Sequence, residues 1–170
     1  MKAALHSVLA ALVALAVGCA GYRVGPVSGQ AAGARSVQVN PFASKVFEPR
    51  VGDAVTASLR KQLQQEGTFR LNTQKEGDII VSGTILDYDR SQLSLQPGDT
   101  LTPRDYRLQV RAHVTAQERG SGRVLLSRDI FGRTTLRSTP DLASAERQAV
   151  PLAAEDLARN ITALLTEGEW

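Results

Sequence analysis

The chain has 170 residues, 42% of them hydrophobic and 22% charged, with a formal net charge of +3. That is enough for one domain with a sizeable core, and the balance is too mild, with no dense basic run, to argue for a nucleic-acid partner. A single cysteine, Cys19, excludes an internal disulfide and any cysteine-built metal site.

The first element is an N-terminal apolar run. Lys2 gives a positive start, Val8 to Val17 is unbroken and apolar, and Gly18 precedes Cys19. The run is about half of the ~20 residues a helix needs to cross a bilayer, so it reads as a cleaved secretory signal ending at a lipidated cysteine. The usual leucine three positions before that cysteine is replaced by Ala16, with Leu15 one position further back. One acyl chain anchors only marginally at ~0.8 kcal/mol per buried CH₂, so stable attachment implies several chains on Cys19. The expected division is a signal over 1–18, a lipidated cysteine and flexible tether over 19–35, and one domain over 36–170. Gly21, Gly25, Pro26, Gly29 and Gly33 give the tether its composition.

Ser36 to Phe42 alternates, with Val37 and Val39 on one side and Gln38 and Asn40 on the other, as a first strand does. Pro49 opens an amphipathic helix in which Val51, Val55, Leu59 and Leu63 recur every four residues until Gly67 stops it. Asp78 to Tyr88 is rich in Ile and Val and forms a second strand. The stretch from about Arg90 to Arg104, with Pro97-Gly98-Asp99, is expected to be a long loop. Tyr106 to Gln117 alternates from end to end, and Gly120-Ser121-Gly122 turns it into a hairpin with Arg123 to Thr134. Thr139 and Pro140 start a last helix whose stripe runs through Leu142, Ala145, Ala149, Ala153, Leu157, Ile161 and Leu164 to about Leu165. Pro151 inside it predicts a kink or a break near Val150.

The order strand, helix, three strands, helix predicts an α+β domain (β-α-β-β-β-α) with two helices on one face of a mixed four-stranded sheet. The other face, carrying Arg107, Gln109, Arg111, His113 and Thr115, is left polar and uncovered.

Catalytic chemistry has little to draw on. His6 belongs to the signal, which leaves His113 as the one candidate base, and its place in the alternation makes it a solvated surface residue. No phosphate loop, HExxH pair or G-x-S-x-G elbow occurs. Asp87, Asp89, Asp99 and Asp105 read as strand-end and turn aspartates. No cofactor, no metal and no enzymatic activity are expected. Four of the 20 basic residues are lysine and the rest arginine, the side chain suited to bidentate phosphate contact. Arg107, Arg111, Arg128 and Arg133 fall on the two hairpin strands, where several could gather on the exposed face and meet anionic phosphates.

Three segments carry a resemblance: Cys19-Ala20-Gly21-Tyr22-Arg23-Val24, Val37-Gln38-Val39-Asn40-Pro41-Phe42, and Gly77-Asp78-Ile79-Ile80-Val81-Ser82-Gly83-Thr84-Ile85. With the terminal Trp170, their order and spacing make the chain similar to the LPS-assembly lipoprotein family LptE, in its divergent branch outside the proteobacteria. The resemblance implies a non-enzymatic outer-membrane lipoprotein on the periplasmic side that plugs an LptD-type β-barrel, helps it assemble and contacts lipopolysaccharide through arginines such as those named above. It also implies that Ala20, where an aspartate would favour inner-membrane retention, directs the anchor outward. A second class of reading, a scaffold subunit of another envelope or secretion complex, suits the same small lipoprotein.

Overall fold

The alternation of the first strand survives as β1 (Arg35–Val39), with Val37 and Val39 buried. The computed structural model describes residues 33–168 except Pro49 and Lys75. The signal, Cys19, the tether up to residue 32, the expected helix start at Pro49 and Trp170 therefore lie outside the described residues. After β1 come β2 (Ala43–Ser44), α1 (Arg50–Glu66), β3 (Phe69–Leu71), β4 (Ile79–Gln96), β5 (Asp99–Glu118), β6 (Val124–Arg137) and α2 (Leu142–Glu167). The class is the α+β architecture that the element order predicts. The sheet order is β3-β1-β4-β5-β6, with β2 also on β4. Pairs among β1, β2, β3 and β4 are parallel, and β4-β5 and β5-β6 are antiparallel. The sheet thus has six strands where four were expected. The two extra ones span only two and three residues, too short for any period to show.

Both helices bury their stripes on one sheet face. Val51, Val55, Leu59 and Leu63 of α1 and Ala153, Leu157 and Ile161 of α2 are fully buried with Leu108, Val110, Ala112 and Val114 of β5. Two glycines set how close the layers come. A Cβ on Gly83 would lie 2.2 Å from the Phe42 ring, so that ring lies directly on the sheet under the start of α1. A Cβ on Gly132 would lie 2.3 Å from the Ala153 carbonyl oxygen, so α2 rests on the backbone of β6.

Three expectations change. The stretch from Arg90 to Arg104 is not a loop: β4 runs on to Gln96, Gly98 takes a φ of 81° at the turn, and β5 starts at Asp99. Its Ser, Gln and Leu residues have no buried face there, so no alternation marks them as strand. Nor does Pro151 split the last helix, which is one element over 26 residues. The proline is exposed, so its ring occupies solvent-side space and the break reduces to one missing backbone donor. The helix begins at Leu142, two residues later than Pro140, because the Asp141 carboxylate accepts a hydrogen bond from the Ser144 backbone N–H and caps it.

At the end of the sheet where the chain enters β1, Asp78 accepts from both the backbone N–H and the hydroxyl of Ser36, each at 2.7 Å. The Ser36 hydroxyl in turn accepts from the Asp78 backbone N–H. Beside this clasp Arg35 pairs with Glu118 at 2.6 Å, and the Arg119 guanidinium donates to the Gly77 carbonyl and the Gln38 side chain. The Ser36 bonds, backbone first, with Arg35 and Arg70 nearby, hold the Asp78 carboxyl below its usual value of 3.8. A carboxyl depressed on folding adds stability above the unfolded-state pKa and loses it as pH falls through the folded value. Unfolding by denaturant is therefore expected to show a stability drop below about pH 4 that is smaller in Asp78→Asn, a variant already weaker than wild type at pH 7. Equal acid slopes in the two proteins would contradict the clasp.

Candidate functional site

Strict alternation on β5 puts Arg107, Gln109, Arg111, His113, Thr115 and Gln117 on the face away from the helices, as the sequence predicts. The ladder fixes their neighbours. Across β4, β5 and β6 the rows are Ser91–Arg107–Thr135, Asp89–Gln109–Arg133, Asp87–Arg111–Phe131, Thr84–His113–Asp129 and Ser82–Thr115–Ser127. A β-bulge between Ile85 and Asp87 shifts β4 by one residue. It brings both Asp87 and Asp89 onto this open face and turns Tyr88 towards the helices.

Of the four arginines read from the sequence, three share the open face and one does not. Arg107, Arg111 and Arg133 lie on adjacent rows. Arg128 stands opposite Val114, so it lies on the helix side of the sheet, where it lines a cavity of about 340 Å³ with Asp156, Asn160 and Leu164 of α2. Sequence alone left this open because the register was unknown, and one step of register exchanges the faces.

The three are not equally available. Arg111 lies between two carboxylates, 3.8 Å from Asp87 and 3.5 Å from Asp129. Arg133 donates from Nε to the Gln109 side-chain oxygen at 2.8 Å and sits 5.5 Å from the Phe131 ring centre. No hydrogen bond or ion pair among the described residues holds Arg107. Exposed pairs of this kind are worth ~0–1 kcal/mol and exchange readily with an incoming anion. The face can therefore present guanidinium groups to phosphate.

His113 sits half-exposed on this face, its Nδ1 2.8 Å from Asp129 and its Nε2 3.5 Å from the Ser127 hydroxyl. The order serine, histidine, aspartate matches a hydrolytic relay, and Ser127 and Asp129 escaped the sequence reading because they meet His113 only through register. The serine contact is at the limit of a hydrogen bond, and the three residues lie in a row on an open sheet, without the enclosed oxyanion pocket acyl transfer needs.

The remaining aspartates have structural partners. Asp99 accepts from the Leu101 and Thr102 backbone and the Thr102 hydroxyl, which keeps its carboxyl below the ordinary value. Asp105 accepts from Ser94. On the helix side, the Tyr88 hydroxyl donates to Glu146, which Arg90 also holds, and burial, then that bond, raises the tyrosine pKa. Among the described residues no group of three or more His, Cys, Asp or Glu side chains is placed to hold a metal, and no helix is long and apolar enough to cross a membrane.

Residues 34–165 match the model of the lipopolysaccharide-assembly family LptE. No curated protein matches the sequence. Among solved structures, a hypothetical protein from Chlamydia trachomatis aligns with a TM-score of 0.58 at 11% identity, over 81% of this chain and 98% of the other. A protein from Xanthomonas campestris gives 0.56 at 12% identity over 78% and 85%. A minor lipoprotein from Acinetobacter baumannii gives 0.52 at 14% identity over 78% and 93%. At these identities the structures establish a shared fold.

Proposed function

Because the chain belongs to the LptE family of lipopolysaccharide-assembly proteins, we propose that it is an outer-membrane lipoprotein. In this reading Cys19 carries the anchor on the periplasmic side, and the domain plugs an LptD-type β-barrel through which lipopolysaccharide is delivered. The role is one of scaffolding and binding, with no bond made or broken.

The observation that supports it best is the open sheet face. A sheet with one helical layer leaves its second face to water or to a partner, and here that face carries Asp87, Asp89, Arg107, Arg111, His113, Asp129 and Arg133. The lumen of a wide outer-membrane barrel is polar and wet, so such a surface can be enclosed there without stripping charges bare. Guanidinium groups on the same face suit the phosphates of lipopolysaccharide.

Co-purification tests the reading. The tagged full-length chain, solubilised from its native membrane in dodecyl maltoside, is expected to bring down an LptD-type barrel in equimolar amount. Recovery of a different envelope complex in its place would favour the scaffold role elsewhere.

A further inference from the structure

Past its pairing with β2, β4 continues as one strand of a ribbon with β5. β2 reaches only Ile85, and β6 pairs with β5 only as far as Asp105. Among the described residues the outer edge of β4 from Asp87 to Gln96 and the outer edge of β5 from Asp99 to Pro103 therefore have no strand beside them. An unpaired edge is a template for another chain, and folded proteins blunt such edges with charge, proline, shortness or a covering element.

Nearly every edge of this sheet is blunted. β2 and β3 are two and three residues long. On β6, Asp156 of α2 accepts from the Arg133 backbone N–H at 2.9 Å, and Asn160 donates to the Phe131 carbonyl at 2.8 Å. Further along β6, Arg128 and Asp129 supply charge. On β5, Asp99 takes the Leu101 and Thr102 donors, and Pro103 has none. On β4, Asp87, Asp89 and Arg90 guard the first part. The exception is Ser91-Gln92-Leu93-Ser94-Leu95-Gln96, six residues with no charge and no proline. Leu93 and Leu95 are 43% and 39% exposed there, with Leu101 at 89% across the ribbon. A bulge at Leu93 re-aims the end of the strand.

We propose that the free β4 edge at 91–96 is a strand-pairing site for an extended, uncharged polypeptide segment of the barrel partner. This rests on the plug reading above and adds which part of the domain makes the contact. The occupant is protein because the groups left open are backbone N–H and C=O, which another backbone satisfies and hydrocarbon does not. Leu93 and Leu95 then supply the side-chain contact that a bare ladder lacks.

The test uses the full-length lipidated chain, alone in dodecyl maltoside and co-purified with its barrel. Amide exchange over 91–96 is expected to slow at least ten-fold in the complex, and a benzophenone crosslinker at Leu95 to give an adduct with the barrel polypeptide. The pair Leu93→Lys and Leu95→Lys is expected to lower barrel recovery at least ten-fold with the melting curve of the isolated chain unchanged. If the barrel co-purifies while 91–96 exchange freely, or the adduct is with lipid or detergent, the edge inference falls and the plug reading stands. If no barrel co-purifies with the unmodified chain, both fall.

Discussion

Gly132→Ala is expected to remove about 2–3 kcal/mol of stability, a large share of the ~5–15 kcal/mol typical of a domain. The added Cβ would lie 2.3 Å from the Ala153 carbonyl oxygen, 2.5 Å from the Leu157 Cβ and 2.6 Å from the Leu157 backbone nitrogen. Two of these are main-chain atoms of a helix, which cannot swing aside as a flexible side chain would, so α2 itself must lift. Lifting it opens the seam around Ala153, Leu157 and Ile161, all fully buried, and draws Asp156 and Asn160 off the edge of β6. A fall in the melting midpoint of roughly 10 °C is the readout. Gly120→Ala is the control, because a Cβ there meets nothing within 4 Å. Matching midpoints for the two variants would mean that α2 is not seated on β6 in this way.

Gly132 also shows where sequence reading ends. Both helices, the three long strands and the polar face were legible because each carries a period that burial on one side imposes. Leu108, Val110, Ala112 and Val114 alternate since half of β5 meets the helices. The tip ribbon was illegible for the converse reason: Gln92, Leu93, Leu95 and Leu101 all contact water, so no face is selected and the composition resembles a loop. Pro151 misled because propensity treats a proline as a helix breaker wherever it stands, whereas its ring here points to solvent. Arg128 shows the limit on the site. The sequence says which residues alternate along one strand, but not which residue of β6 stands beside His113, and that one integer decides whether Arg128 or Asp129 shares its face. The Ser127–His113–Asp129 row is hidden in the same way.

Replacing Arg107, Arg111 and Arg133 together with alanine is expected to weaken binding of purified lipopolysaccharide about 100-fold. A hydrogen bond to a charged group is worth ~1.5–3 kcal/mol, and solvent screening on a half-exposed face brings this to about 1 kcal/mol per guanidinium. Three such losses give a factor of about 100 at ~1.4 kcal/mol per decade. The contributions should be unequal. Arg107 has no competing partner among the described residues and is expected to contribute most. Arg133 must give up Gln109, and Arg111 has to leave Asp87 and Asp129, so Arg111→Ala should weaken binding least. Arg128→Ala, on the helix side, should change it little. Raising the salt shortens the Debye length from ~10 Å at 0.1 M to ~3 Å at 1 M, so the gap between wild type and the triple variant should close as salt rises. An Arg128→Ala loss as large as that of Arg107→Ala, or a gap indifferent to salt, would place the phosphates somewhere other than the open face. The ranking thus tests the register itself, since only the observed pairing sets Arg111 between two carboxylates and leaves Arg107 beside Ser91 and Thr135.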